Sequence, residues 1–151
     1  MSTHENILIT TRQIQELLKD VKRIAVLGIK TEEKSEQAAY YVPQYLQSVG
    51  LEIVPVPVYF PDATEILGEK VYRSLAEVPG EIDLVDVFRR PEDIPAHLDD
   101  ILAAKPKAVW MQLMIRNDEV ALQLAEAGIK VVQDRCLKVE HRQMVIENRF
   151  K

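Results

Sequence analysis

Residues 24–35 read IAVLGIKTEEKS. Four aliphatic residues run into Gly28, and the chain then turns polar and charged. A buried strand that closes on glycine and opens into a charged loop is how a phosphate-binding strand–helix turn begins. A dinucleotide fingerprint would place three glycines there. Here Gly28 stands alone, and the next glycine is Gly50. The segment predicts a strand and a turn but leaves the ligand open.

Working outward, the chain alternates helices and strands. In TTRQIQELLKDVK (10–22), Ile14, Leu17, Leu18 and Val21 share one helical face, with Thr10 or Thr11 as the cap. After the strand at 23–27, a helix should run to Gly50, starting near Tyr40 or kinking at Pro43, because proline has no N–H to donate inside a helix. LEIVPV (51–56) reads as a second strand and PVYFPDATEILGEK (57–70) as an irregular surface excursion. VYRSLAEVP carries a short strand-like piece and a short helix. DLVDVF is apolar enough to be a strand buried on both faces. Pro91 can open a helix that presents Ile94, Leu98, Ile101 and Leu102. AVWMQL is a strand, Asn117 caps DEVALQLAEA, Gly128 closes it, KVVQ is a fifth strand and LKVEHRQMVIEN a closing helix. This order predicts an α/β fold: a three-layer, Rossmann-like, doubly wound parallel sheet of about five strands with helices on both faces.

Composition bounds the rest. The 151 residues are 47% hydrophobic and 28% charged, which suits one globular domain over 1–151, its first 22 residues packing as a helix on the remainder. A net charge of −5 argues against wrapping a nucleic acid. Apolar runs are too short to cross a bilayer, and MSTHENILITTRQ lacks the pattern of a secretory signal, so a cytoplasmic protein is expected. The single cysteine, Cys136, excludes an internal disulfide.

In doubly wound sheets ligands lie beyond the carboxyl ends of the strands. The loops to inspect are therefore 28–35, 56–60, 88–91 and 112–117. Gly28 lets backbone approach a ligand, Lys30 and Lys34 add charge, and Ser35 adds a hydroxyl. Glu32, Glu33 and Glu36 oppose the lysines, so a phosphate loop and a solvated charged loop stay equally open. In FRRP, Arg89 and Arg90 end a buried strand beside a helix start, with Phe88 and Pro91 flanking; the guanidinium fork suits phosphate. The alternative is two surface arginines facing Glu92 and Asp93. Gln112 could bond an amide, whereas Trp110 and Met111 read as core and Asn117 as a cap. No catalytic constellation is visible. His4, His97 and His141 are scattered, no nucleophile motif surrounds Cys136, and Asp83, Asp86 and Asp134 lack metal-ligand spacing. Asp134 and Arg135 are expected to pair locally.

Taken in order, IAVLGIK, YYVPQYLQSVGLEIVPV, ILGEKVYRSLAEVP, DLVDVFRRPEDIP, KAVWMQLMIRND and VVQDRCLKVEH resemble the small single-domain CoA-binding proteins over roughly residues 23–141. Those proteins are Rossmann-like and similar to the CoA-binding domain of the succinyl-CoA synthetase alpha subunit. The resemblance implies CoA or an acyl-CoA as ligand, with phosphate contacts from Gly28, Ile29, Lys30, Lys34 and Ser35. It implies adenine contacts near Val56 and Pro57, and pantetheine and phosphate contacts near Phe88, Arg89, Arg90, Pro91 and Gln112. Where that family has Asn-Pro, a basic residue and an aromatic after the second strand, this chain has Pro57-Val58-Tyr59-Phe60. The synthetase's phosphohistidine domain has no counterpart here, so a binding protein without catalysis is expected, with no metal. The alternatives are a regulatory or scaffold protein that has lost tight nucleotide binding, and a nicotinamide-nucleotide enzyme. A protein partner or homo-oligomer is left open.

Overall fold

The computed structural model describes residues 4–149. Five strands, β1 (Arg23–Leu27), β2 (Glu52–Val56), β5 (Leu84–Val87), β6 (Ala108–Met111) and β7 (Lys130–Val132), form one parallel sheet in the order β2-β1-β5-β6-β7. A two-residue hairpin, β3 (Glu65–Ile66) with β4 (Glu69–Lys70), stands apart. The chain winds outward from β1 to β2, crosses back to β5 and continues to β6 and β7. The winding thus reverses between β1 and β5, whose register pairs Leu27 with Val87.

Side chains alternate between the two faces of the sheet. Ile24, Val26, Leu84 and Trp110 point to one core layer, covered by α1 (Thr11–Lys19), α2 (Ala38–Ser48) and α5 (Leu137–Asn148) through residues such as Ile14, Leu46 and Met144. Ala25, Leu27, Val85, Val109 and Met111 point to the other, under α3 (Leu98–Ala104) and α4 (Asp118–Glu126). Trp110 is fully buried, and its indole N–H donates to Arg135 O at 2.8 Å. Both sheet edges are covered: Leu8 N–H donates to Val131 O beside β7, and Tyr72 N–H donates to Pro55 O beside β2. Pro55 sits in an edge strand, where a missing N–H is tolerated.

The strands and five α-helices fall where the periodicity places them, with instructive differences. Thr10 caps α1 in a reciprocal box with Gln13. Helix α2 starts at Ala38 and runs through Pro43. Pro43 leaves the Ala39 carbonyl without its helical donor, and Lys30 N–H supplies one at 3.2 Å. The proline therefore ties the loop after β1 to the helix instead of ending it. Segment 57–70 is not wholly irregular. Leu67 and Gly68, both with positive φ, turn the β3–β4 hairpin, and Ile66 is buried. Arg73 holds the stretch before the hairpin by donating to the carbonyls of Phe60 at 2.8 Å, Pro61 at 3.1 Å and Ala63 at 2.8 Å. The helix expected from Pro91 is a 3-10 segment, Pro91–His97, that continues into α3.

Candidate functional site

The loops after β1, β2, β5 and β6 meet at the carboxyl edge, above the point where the winding reverses. Gly28 is its floor. Its φ is +89°, its N–H donates to Val56 O at 2.9 Å, and a Cβ placed there would lie 2.4 Å from Phe88 O and 3.4 Å from Arg89 Cδ. Phe88 N–H donates to Leu27 O at 2.9 Å, so the two strand ends are locked backbone to backbone. Gly28 is required by this protein–protein approach, before any ligand is considered.

Arg89 lies across that floor. Its Nε donates to His97 Nε2 at 3.2 Å, its Nη2 is 3.7 Å from Asp93 Oδ2, and its guanidinium stands 5.7 Å from the centroid of the Tyr59 ring. Arg90 is exposed, and its Nε donates to Asp93 at 2.9 Å. The acidic partner foreseen for the arginine pair is thus Asp93, shared by both. His97 and Tyr59, which complete the clamp, carry no periodic or spacing signal in the sequence. For His97 Nε2 to accept from Arg89, the imidazole must be neutral. Burial first, and the Arg89 charge second, hold its pKa below the usual histidine value. His141, buried on α5 with Nδ1 unpartnered, is likewise pushed down by burial.

The sign of the resulting pH dependence follows. Both pKa values are depressed on folding, so the stabilisation is complete above the unfolded value of about 6.5 and is lost as pH falls below it. His97→Gln keeps an acceptor for Arg89 but cannot titrate. Across pH 7 to 5 its Tm should fall less steeply than that of the wild type. Parallel melting curves for the two proteins would discount His97 as a contributor.

Gln112 is buried, not open to solvent. Its Oε1 accepts Leu137 N–H at 3.1 Å at the start of α5, while its NH2 makes no hydrogen bond among the described residues. The adjoining Leu113 and Met114 are exposed, and Met114 is held with φ +70° by its N–H donating to Asp134 Oδ1 at 2.7 Å. The expected Asp134–Arg135 pair does not form. Arg135 pairs with Glu140 at 3.3 Å and donates to Ile9 O at 2.7 Å. Asn117 caps α4 through Val120 N–H, as its position predicts. Cys136 packs half-buried before α5.

Of the loop after β1, Ile29 is buried and Lys30 Nζ donates to Gln37 Oε1. Lys34 and Ser35 are exposed, and neither side chain has a partner among the described residues. No side chain caps α2; Tyr40 and Tyr41 N–H donate to Gln37 O, and no bond from Ala38 or Ala39 N–H is made to a side chain among the described residues. Val56 and Pro57 are buried at the end of β2, and Pro91 is half-buried. The edge therefore unites Gly28, Val56, Phe88, Arg89 and Gln112, with Lys30 facing α2 and Lys34 and Ser35 at the rim. A cavity of about 550 Å³ lies at the opposite edge, between α1 and Lys107 and Lys130. Lys107 there is already paired with Asp83 and Glu81. No group of three or more His, Cys, Asp or Glu among the described residues is placed to hold a metal ion, and no helix is long and apolar enough to cross a membrane.

Comparison with known proteins bears on this edge. A family model described as a CoA binding domain matches residues 22–142. An uncharacterized protein of Bacillus subtilis, YneT, is 37% identical over 129 residues, 85% of this chain and 92% of its own. A Thermus thermophilus structure is 38% identical, covers 90% of this chain and 99% of its own, and superposes with a TM-score of 0.81. A dinucleotide-forming acetyl-coenzyme A synthetase of Ca. Korarchaeum cryptofilum, 20% identical with a TM-score of 0.63, shares the fold over 77% of this chain and 26% of its own.

Proposed function

This chain belongs to the CoA-binding domain family, and from that premise we propose that it binds CoA or an acyl-CoA at the carboxyl edge without transforming it. The observation that carries the proposal is the convergence of Gly28, Arg89 and the unspent NH2 of Gln112 where the winding reverses. The pyrophosphate would lie toward the uncapped start of α2, with Lys30, Lys34 and Ser35 on one side and Arg89 and Arg90 on the other. Gln112 would donate to a carbonyl of the pantetheine arm, and exposed Leu113 and Met114 would line its apolar course.

A ligand that binds only the folded state must stabilise it, by about 2.7 kcal/mol at a hundred times Kd. Millimolar CoA should therefore raise Tm by several degrees. Arg89→Ala combined with Arg90→Ala should weaken CoA at least about tenfold, since a charge-assisted bond contributes about 1.5–3 kcal/mol. No thermal shift at millimolar CoA would remove the proposal.

The engagement of both arginines by Asp93, and of Arg89 by His97 and Tyr59, favours a second reading: a regulatory or scaffold module whose phosphate ligands are internally satisfied. It predicts partner capture indifferent to CoA together with no thermal shift.

A further inference from the structure

Of the three glutamates that oppose the lysines of the first loop, the structure gives Glu32 and Glu33 a place beside Glu65 of the hairpin. A cavity of about 440 Å³ opens on the β2 side of that loop, between Thr31–Glu33, Tyr40 in the first turn of α2, and the hairpin residues Glu65–Gly68. Glu32, Glu33 and Glu65 line it, and none forms an ion pair among the described residues. Tyr40 is 6% exposed and lines the same cavity, yet its hydroxyl makes no hydrogen bond. Thr31 Oγ1, also in the lining, is buried without a partner. Burial first, and the Glu32 charge second, raise the Tyr40 pKa, so the phenol stays protonated.

Thr31 Oγ1 is a buried hydroxyl left unpaired, which is costly, and the Tyr40 hydroxyl on the cavity wall is left for solvent or a ligand to complete. The complement of these groups is a polar, uncharged body rich in O–H or N–H donors. Three unneutralised carboxylates repel a phosphate, and the repulsion is screened by salt. In doubly wound folds a nucleotide lying over the reversal point turns its adenosine ribose toward the second strand, where a carboxylate accepts from a free ribose hydroxyl. We infer that this cavity is a ribose-hydroxyl site that disfavours a ribose phosphate, so that the chain binds dephospho-CoA more tightly than CoA. The inference rests on the CoA-type ligand proposed above and specifies which form of it fits.

Titration calorimetry of the full chain at low salt, with CoA, dephospho-CoA and NAD in separate arms, tests it. Dephospho-CoA should bind at least tenfold more tightly than CoA, and the ratio should shrink as salt is raised. Glu33→Gln with Glu65→Gln should narrow the ratio by strengthening CoA binding. Tyr40→Phe, with its folding verified by melting, should weaken dephospho-CoA severalfold. CoA binding as tightly as dephospho-CoA overturns the inference and leaves CoA binding intact. Binding of neither overturns both. NAD binding in preference to dephospho-CoA also overturns both, because the free ribose would then belong to a different nucleotide.

Discussion

Gly28→Ala is expected to lower stability by about 2–5 kcal/mol and to remove ligand binding with it. Two costs combine. An L-residue at φ +89° pays roughly 1–2 kcal/mol of backbone strain. The new methyl would also stand 2.4 Å from Phe88 O, a backbone atom that cannot rotate away. Phe88 is fixed by its N–H bond to Leu27 O, so relief requires prying β1 from β5; overpacking of that kind costs about 1–3 kcal/mol. At about 2–4 °C per kcal/mol for a chain this size, Tm should drop by roughly 10 °C. Gly50 is the control. Its φ is +99°, but nothing lies within 4 Å of the added carbon, so Gly50→Ala should show the strain alone. Thermal or urea melts of the two variants decide the matter. If their losses agree within about 0.5 kcal/mol, comparable to the usual error of additive bookkeeping, Gly28 serves only as a turn residue.

The same glycine shows how far the sequence alone could go. Its position after an aliphatic run marks the end of β1, and the alternation of periods marks the parallel sheet, because both are local signals of burial. That Gly28 is spent on Phe88, 60 positions away, depends on the β1–β5 pairing and has no local trace. Pro43 is similar. Alone it argues for a helix start or a kink, and only the loop after β1, folding back so that Lys30 can reach Ala39, lets the helix pass through it. The β3–β4 hairpin escaped notice because each strand is two residues long and its turn places Leu67, an unfavourable residue, at positive φ. At the candidate site, residue types were legible but their engagements were not. Arg89 and Arg90 stand where anion ligands were expected, yet His97, Asp93 and Tyr59 reach them from the loop after β2 and from the 3-10 segment. Asp134 turns to Met114 N–H instead of its neighbour because its own φ is +56°.

Asp86 breaks the apolar rule of its strand, and its substitution yields the second large effect. It lies in β5 between Val26 and Trp110 in register, is 0% exposed, and neither carboxylate oxygen has a hydrogen-bond partner among the described residues. The layer it faces is built from α1, α2 and α5 and is otherwise almost wholly apolar. Burial pushes its pKa well above the ordinary carboxylate range. With the folded pKa raised, the native state keeps a proton that the unfolded chain releases above about 3.9, so stability is lost as pH rises toward the folded value. The limiting slope for one proton is about 1.36 kcal/mol per pH unit. This slope opposes that of His97 and His141, which destabilise on acidification. Asp86→Asn keeps the shape and removes the titration. It should leave stability near pH 4 almost unchanged and raise it as pH climbs toward 8, the gain growing by at most about 1.36 kcal/mol per pH unit until the folded carboxyl ionises. Melting curves of both proteins from pH 4 to 8 measure this directly. A constant difference across the range would mean that Asp86 does not change its proton occupancy on folding. Departures of this kind from the folding rules cluster at functional sites, and Asp86 stands two positions before Phe88. If Asp86→Asn gains stability but loses nucleotide affinity, the neutral carboxyl contributes to the crevice above it; if affinity is untouched, the carboxyl is a cost of the fold alone.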